Sequence, residues 1–142
     1  MSSKHPRYET IDHTADLGII VKGGNIKELF VNAANAMIDL MVKADVPEKS
    51  PERKLIIEGA DLPDLMVRWL SEILYLFNGE HILVRAIEIG SMSPTRLQST
   101  LSGVSLNKTD HEILREIKAV TYHQIGVEET ADGWEARVIF DI

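Results

Sequence analysis

Residues 54–79 read KLIIEGADLPDLMVRWLSEILYLFNG. Lys54–Glu58 is a short apolar, β-branched run and reads as a strand. Asp61 then offers an N-cap oxygen, and Pro63 falls in the first turn, where its missing N–H costs little. Leu65, Met66, Trp69, Leu70, Ile73, Leu74 and Phe77 recur at helical spacing and form one apolar stripe. Asn78-Gly79 is a stop signal, because both residues tolerate left-handed backbone. A second helix is announced upstream by Asn25 as N-cap, with Glu28 three residues on as in a capping box. Ile26, Leu29, Phe30, Ala33, Ala34, Met37, Ile38, Leu40 and Met41 supply its apolar period. The rest reads as strands: Tyr8–Ile11, Leu17–Lys22, Leu83–Ile89, Arg96–Val104, Ile117–Glu128 and Trp134–Asp141. The last two close a hairpin around Ala131-Asp132-Gly133. Strands outnumber helices and do not alternate with them. The expected fold is therefore α+β, in two layers, with a mixed β-sheet and two main helices packed on one face.

The chain has 142 residues and a net charge of −7, consistent with one domain over 1–142. Asp45–Glu52 holds two prolines and four charges and marks a linker or small insertion around 45–53. The absence of cysteine excludes disulfides, thiolate zinc sites, iron–sulfur clusters and a cysteine nucleophile. No apolar run approaches the ~20 residues that span a bilayer. Met1–Arg7 has no apolar h-region, so a cytoplasmic, membrane-free protein is expected. The acidic balance and scattered Lys and Arg argue against direct nucleic-acid binding, which needs a basic face to replace counterions. A phosphate-cradling Gly-rich loop, a G-x-S-x-G elbow and an H-E-x-x-H helix are all missing.

Three clusters could carry chemistry. Asp12-His13-Thr14-Ala15-Asp16 gathers two carboxylates, an imidazole and a hydroxyl at a strand end. The same residues are ordinary turn formers. Arg137-Val138-Ile139-Phe140-Asp141-Ile142 is apolar almost to its end and reads as a buried or central strand. Asp141 and the main-chain carboxylate of Ile142 then lie close together. They repel unless a metal ion, or Arg137 or Lys118 in a plain ion pair, stands between them. If the first strand lies beside the last, Asp12 supplies a third carboxylate, and an all-oxygen set of this kind suits Mg²⁺, Ca²⁺ or Mn²⁺. In Lys118-Ala119-Val120-Thr121-Tyr122-His123, alternation puts Lys118, Val120 and Tyr122 on one face and Ala119, Thr121 and His123 on the other. His123 is a candidate metal ligand or proton carrier, or simply a satisfied histidine.

Tyr8–Asp16, Lys118–His123 and Ala136–Ile142, in that order in a small acidic chain, resemble the archease family over essentially the whole length. The resemblance implies an accessory protein rather than an enzyme. Its partner is the RtcB-type RNA ligase, which seals tRNA halves after intron removal, using GTP and a metal to form a guanylylated histidine. Archeases promote that guanylylation and multiple turnover, and broaden the nucleotides the ligase accepts. The resemblance also implies a divalent metal site with oxygen ligands, carried over onto Asp12, Asp141 and the Ile142 carboxylate. His13, Asp16, Lys118 and His123 are then candidate ligase-contact or supporting residues. Two other readings stand beside it. One is a small metal-dependent phosphatase or nuclease using Asp12, Asp16, His123 and Asp141. The other is a general chaperone or modulator of RNA-processing proteins.

Overall fold

Both helices start as their caps dictate. Asn25, in extended backbone, accepts the Glu28 N–H at 2.9 Å, and Glu28 reaches back to the Gly24 N–H at 3.0 Å, opening α1 (Ile26–Met41). Asp61 accepts the Asp64 N–H at 2.9 Å and opens α2 (Leu62–Asn78), with Pro63 in its first turn. The C-terminal stop differs from expectation. Gly79 stays right-handed at φ −91° and ψ −40°, and its N–H still donates to the Tyr75 carbonyl at 2.7 Å. The first left-handed residue is His81, at φ 56°. α1 needs no glycine stop, because its last carbonyls are taken from outside. Leu114 N–H donates to Met41 O at 2.8 Å and Arg115 Nη1 to Leu40 O at 3.0 Å.

The computed structural model describes residues 8–12, 16–45 and 50–142, apart from the side chains of Ile11 and Asp12. The expected linker thus lies partly outside the described residues. The strands are β1 (Tyr8–Asp12), β2 (Asp16–Gly23), β3 (Val42–Ala44), β4 (Glu52–Glu58), β5 (Ile82–Ser93), β6 (Arg96–Ser105), β7 (His111–Ile113), β8 (Ala119–Val120), β9 (Gly126–Thr130) and β10 (Gly133–Asp141). The largest sheet runs β1-β2-β10, and β8 and β9 share the far side of β10. A three-stranded sheet runs β4-β6-β5, and β3 pairs with β7. The α+β class holds, and every described pairing is antiparallel rather than mixed.

α1 packs on β2, β10 and β5, while α2 packs on β5, β4, β8 and β9, so the helices bridge the two larger sheets. Leu17, Ile19 and Val21 on β2 stand opposite Phe140, Val138 and Ala136 on β10, and all six are buried. Trp69 is fully buried between the helices, and its Nε1 donates to Phe30 O at 2.9 Å, as a buried N–H requires. No helix among the described residues is long and apolar enough to cross a membrane.

The expected strand Ile117–Glu128 is one lane beside β10, broken in the middle. Thr121 N–H and Oγ1 both donate to Ile139 O, at 3.0 and 2.9 Å, and Thr121 Oγ1 accepts the His123 N–H at 3.3 Å. Ile125 N–H then closes a turn on Tyr122 O at 3.3 Å, with Gln124 left-handed at φ 52°. A threonine hydroxyl bonding the backbone two residues on is a common turn device. The face read for Lys118, Val120 and Tyr122 persists up to this turn: Val120 is buried and Lys118 and Tyr122 are exposed, and all three border the groove beside α2.

Candidate functional site

The antiparallel order brings both ends of the chain to one end of the largest sheet. Asp12 of β1 is in register with Leu17 of β2, the residue after Asp16. Asp16 in turn stands directly opposite Asp141 of β10, and Asp141 opposite Ala119 of β8. Three of the acidic residues named from the sequence therefore lie at one end of adjacent strands, Asp16 and Asp141 in one row and Asp12 in the next. The Asp12 side chain and all of His13 lie outside the described residues. Ile142, next to Asp141, is 37 % exposed.

Directly opposed residues in an antiparallel pair have Cβ atoms roughly 4.5–5.5 Å apart, and like charges there are destabilising. Among the described residues, the ion pairs are Arg53–Glu80, Arg68–Asp64 and Arg96–Glu58. Neither Arg137 nor Lys118 neutralises Asp141. Arg137 stands four residues back, opposite Ile20. Lys118 meets Asp141 through the main chain, its N–H donating to Asp141 O at 2.7 Å. His123 is exposed within the turn, and no described contact joins its ring to Asp16 or Asp141. No group of three or more His, Asp or Glu side chains among the described residues could by itself hold a metal ion.

One polar cluster was not anticipated. Asp64, in the first turn of α2, accepts the Ala60 N–H at 2.8 Å, Arg68 Nε at 2.9 Å and the Tyr122 hydroxyl at 2.6 Å. Those donors, the Tyr122 hydroxyl first, hold the Asp64 carboxyl down at about 2. The same bond pushes the Tyr122 phenol up. The Asp64/Arg68 spacing of four along a helix was the available signal. The reach of Tyr122 across 58 residues left none.

The sequence matches the Archease protein family (MTH1598/TM1083) over residues 8–142. The chain belongs to the archease family. It is 37% identical to protein archease of Methanosarcina barkeri, with both chains covered in full. Its fold is similar to the solution structure of protein 1598 of Methanobacterium thermoautotrophicum. The TM-score is 0.80 at 32% identity, covering 97% of this chain and 100% of that one. The crystal structure of a Thermotoga maritima archease, described as a possible chaperone, shares the fold at TM-score 0.65 and 22% identity, covering 94% and 96%.

Proposed function

We propose that this archease-family protein is an accessory activator of an RtcB-type RNA ligase, promoting its guanylylation and multiple turnover and widening its nucleotide use. The observation that carries the reading is the Asp16–Asp141 pair, opposed across one ladder without a cationic partner among the described residues, with the Asp12 backbone on the next strand. Such an arrangement is unfavourable in isolation and becomes favourable once a cation is shared. Asp12, Asp141 and the Ile142 carboxylate would hold a divalent ion through oxygen alone, a donor set suited to Ca²⁺, Mg²⁺ or Mn²⁺. Bound there, the ion would supply a positive centre for a phosphate or a ligase carboxylate. Asp16 is placed to add a further oxygen or to orient a ligand. Lys118, Asp16, His13 and His123 are the residues from which contacts to the ligase would come. A net charge of −7 favours encounter with a ligase whose RNA groove is basic.

The test is a multiple-turnover ligation time course with substoichiometric protein, followed alongside ligase guanylylation. Turnover should rise with wild type and not with Asp12→Ala or Asp141→Ala. Equal rates with and without the protein would defeat the proposal. Cleavage of RNA or nucleotides by the protein alone would favour the hydrolase reading instead.

A further inference from the structure

The two larger sheets stop short of each other above α2, and among the described residues both facing edges are open: β4 pairs only with β6, and β8 only with β10. On β4, the odd residues bond to β6: the ladder is flanked by Gly59 N–H to Thr95 O at 2.9 Å and Gly103 N–H to Pro51 O at 3.1 Å. Alternation then turns the main-chain N–H and C=O of Ile56 and Glu58 away from β6. On β8, Thr121 N–H bonds Ile139 O, so the alternate residue Val120 turns its own N–H and C=O away from β10. Between the two edges lies a cleft of about 520 Å³, lined by Ile56, Glu58, Arg68, Ser71, Val120 and Tyr122 among others. It continues past Ser71 and Val120 into a second space of about 300 Å³ that reaches Lys118.

Open edges are usually guarded by charge. β4 carries Glu52, Arg53 and Lys54 along its first half, but the apolar Ile56-Ile57 opens on the cleft before Glu58. Ile56 and Tyr122, 51% and 55% exposed, flank it as large apolar groups. Glu58 and Glu72 line it; Glu58 is paired loosely with Arg96 at 3.9 Å, and Glu72 has no ion pair among the described residues. Among the described residues, the one cation lining it, Arg68, is already bound to Asp64 at 2.9 Å.

The geometry points to a slot for one extended peptide segment of a partner protein, added as a strand between β4 and β8 over α2. Main-chain donors and acceptors on both sides require a partner with a free backbone, which a helix does not offer. The side chains that point down meet Val67 and Ser71 and should be small or apolar. A Lys or Arg in the segment would answer Glu72, which has no ion pair among the described residues. The occupant is therefore a strand of alternating apolar and basic character. This goes beyond the ligase reading and does not depend on any metal.

The test uses the full-length protein without ligase or metal. A displayed library of random decapeptides is selected on wild type and counter-selected on Ser71→Trp, which fills the slot floor from the partly exposed face of α2 and should leave the melting temperature unchanged. Alternating apolar–basic peptides should be enriched on wild type alone. The amides of Ile56, Glu58 and Val120 should exchange fast in the free protein. They should slow about tenfold with the selected peptide at about ten times its Kd. N-methylation should weaken binding at consecutive peptide residues within the slot, because alternate amides face β4 and β8; sensitivity at every second residue alone would mean pairing to one edge. Failure to enrich peptides that distinguish wild type from Ser71→Trp would overturn the slot, as would protection confined to β1 or β5. Slow exchange at the three amides before peptide is added, in a monomer or in a dimer, would show the slot already filled and would also overturn it. Loss of ligase stimulation with intact peptide binding, or the reverse, separates this inference from the proposed function.

Discussion

Replacing Asp141 by Asn should change stability in opposite directions with and without a divalent ion. In the metal-free protein, Asp141→Asn removes one of two like charges directly opposed across β2 and β10. Two unit charges ~6 Å apart in water repel by about 0.7 kcal/mol, within the roughly 0.2–1 kcal/mol typical of cross-strand charge pairs. For a chain of this size, 1 kcal/mol moves Tm by about 2–4 °C, so the variant should melt about 1–4 °C above wild type in chelator at low salt. At about 1 M salt the Debye length falls to about 3 Å and the gain should vanish. Calcium at about a hundred times its Kd stabilises wild type by about 2.7 kcal/mol, or roughly 5–10 °C, if the site binds it only when folded. The variant lacks a ligand and should show little of that rise, so the two Tm values cross during a titration. Differential scanning calorimetry across calcium, magnesium and manganese series checks this. An Asp141→Asn protein that is less stable in chelator, or that gains as much Tm from the ion as wild type, would refute the reasoning.

Extending the chain beyond Ile142 converts a proposed ligand into an amide, so a C-terminal tag should abolish the metal-induced rise in Tm while an N-terminal tag leaves it intact; calorimetry on both forms decides. Tyr122→Phe should raise the Asp64 pKa from about 2, as followed by carboxyl NMR, because the lost hydroxyl is the largest of its stabilising contacts. Because the folded pKa is depressed, the Asp64 contribution is fully present above about pH 4 and is lost as pH falls toward 2. Acid denaturation of Asp64→Asn should accordingly be less steep over that window than that of wild type. Anisotropy titrations with tRNA should give weak binding that disappears near physiological salt; tight binding there would contradict the charge argument.

Local chemistry was the legible part of this fold. Asn25, Asp61 and Pro63 mark the helix starts because a cap is a contact between residues three apart. The hairpin at Ala131-Asp132-Gly133 was equally plain, and Gly133, at φ +147°, is confirmed by geometry: a side chain there would collide with the Gly23 carbonyl. What failed were features set by partners far along the chain. α1 ends on Leu114 and Arg115, more than seventy residues away, and neither announces that role. The break at Thr121–Ile125 depends on the position of Ile139 O. The three-residue strands β3 and β7 are too short for any period to show. At the candidate site the sequence named Asp12 and Asp141 as ligands but gave Asp16 a supporting role in that metal set, because register, which sets it opposite Asp141, is a property of the folded ladder.

The two clearest carboxylate arrangements in the structure differ in a way that assigns their roles. Asp64 has everything a structural carboxylate needs: a backbone donor, a guanidinium and a hydroxyl, all within 2.9 Å. It closes the first turn of α2 and anchors Tyr122, and its low pKa reports that satisfaction. Elsewhere, no buried side-chain nitrogen or oxygen among the described residues lacks a partner. Against that background, Asp16 and Asp141 stand out. They are opposed in register at the end of a well-packed ladder whose neighbouring rows, Leu17–Phe140 and Ile19–Val138, are buried. The rows fix the two carboxylates against each other, and neither has an ion-pair partner among the described residues. A sequence consistent at every other level accepts a local conflict chiefly where function requires it. On the proposed reading, a cation brought by solution or by a partner would resolve this one.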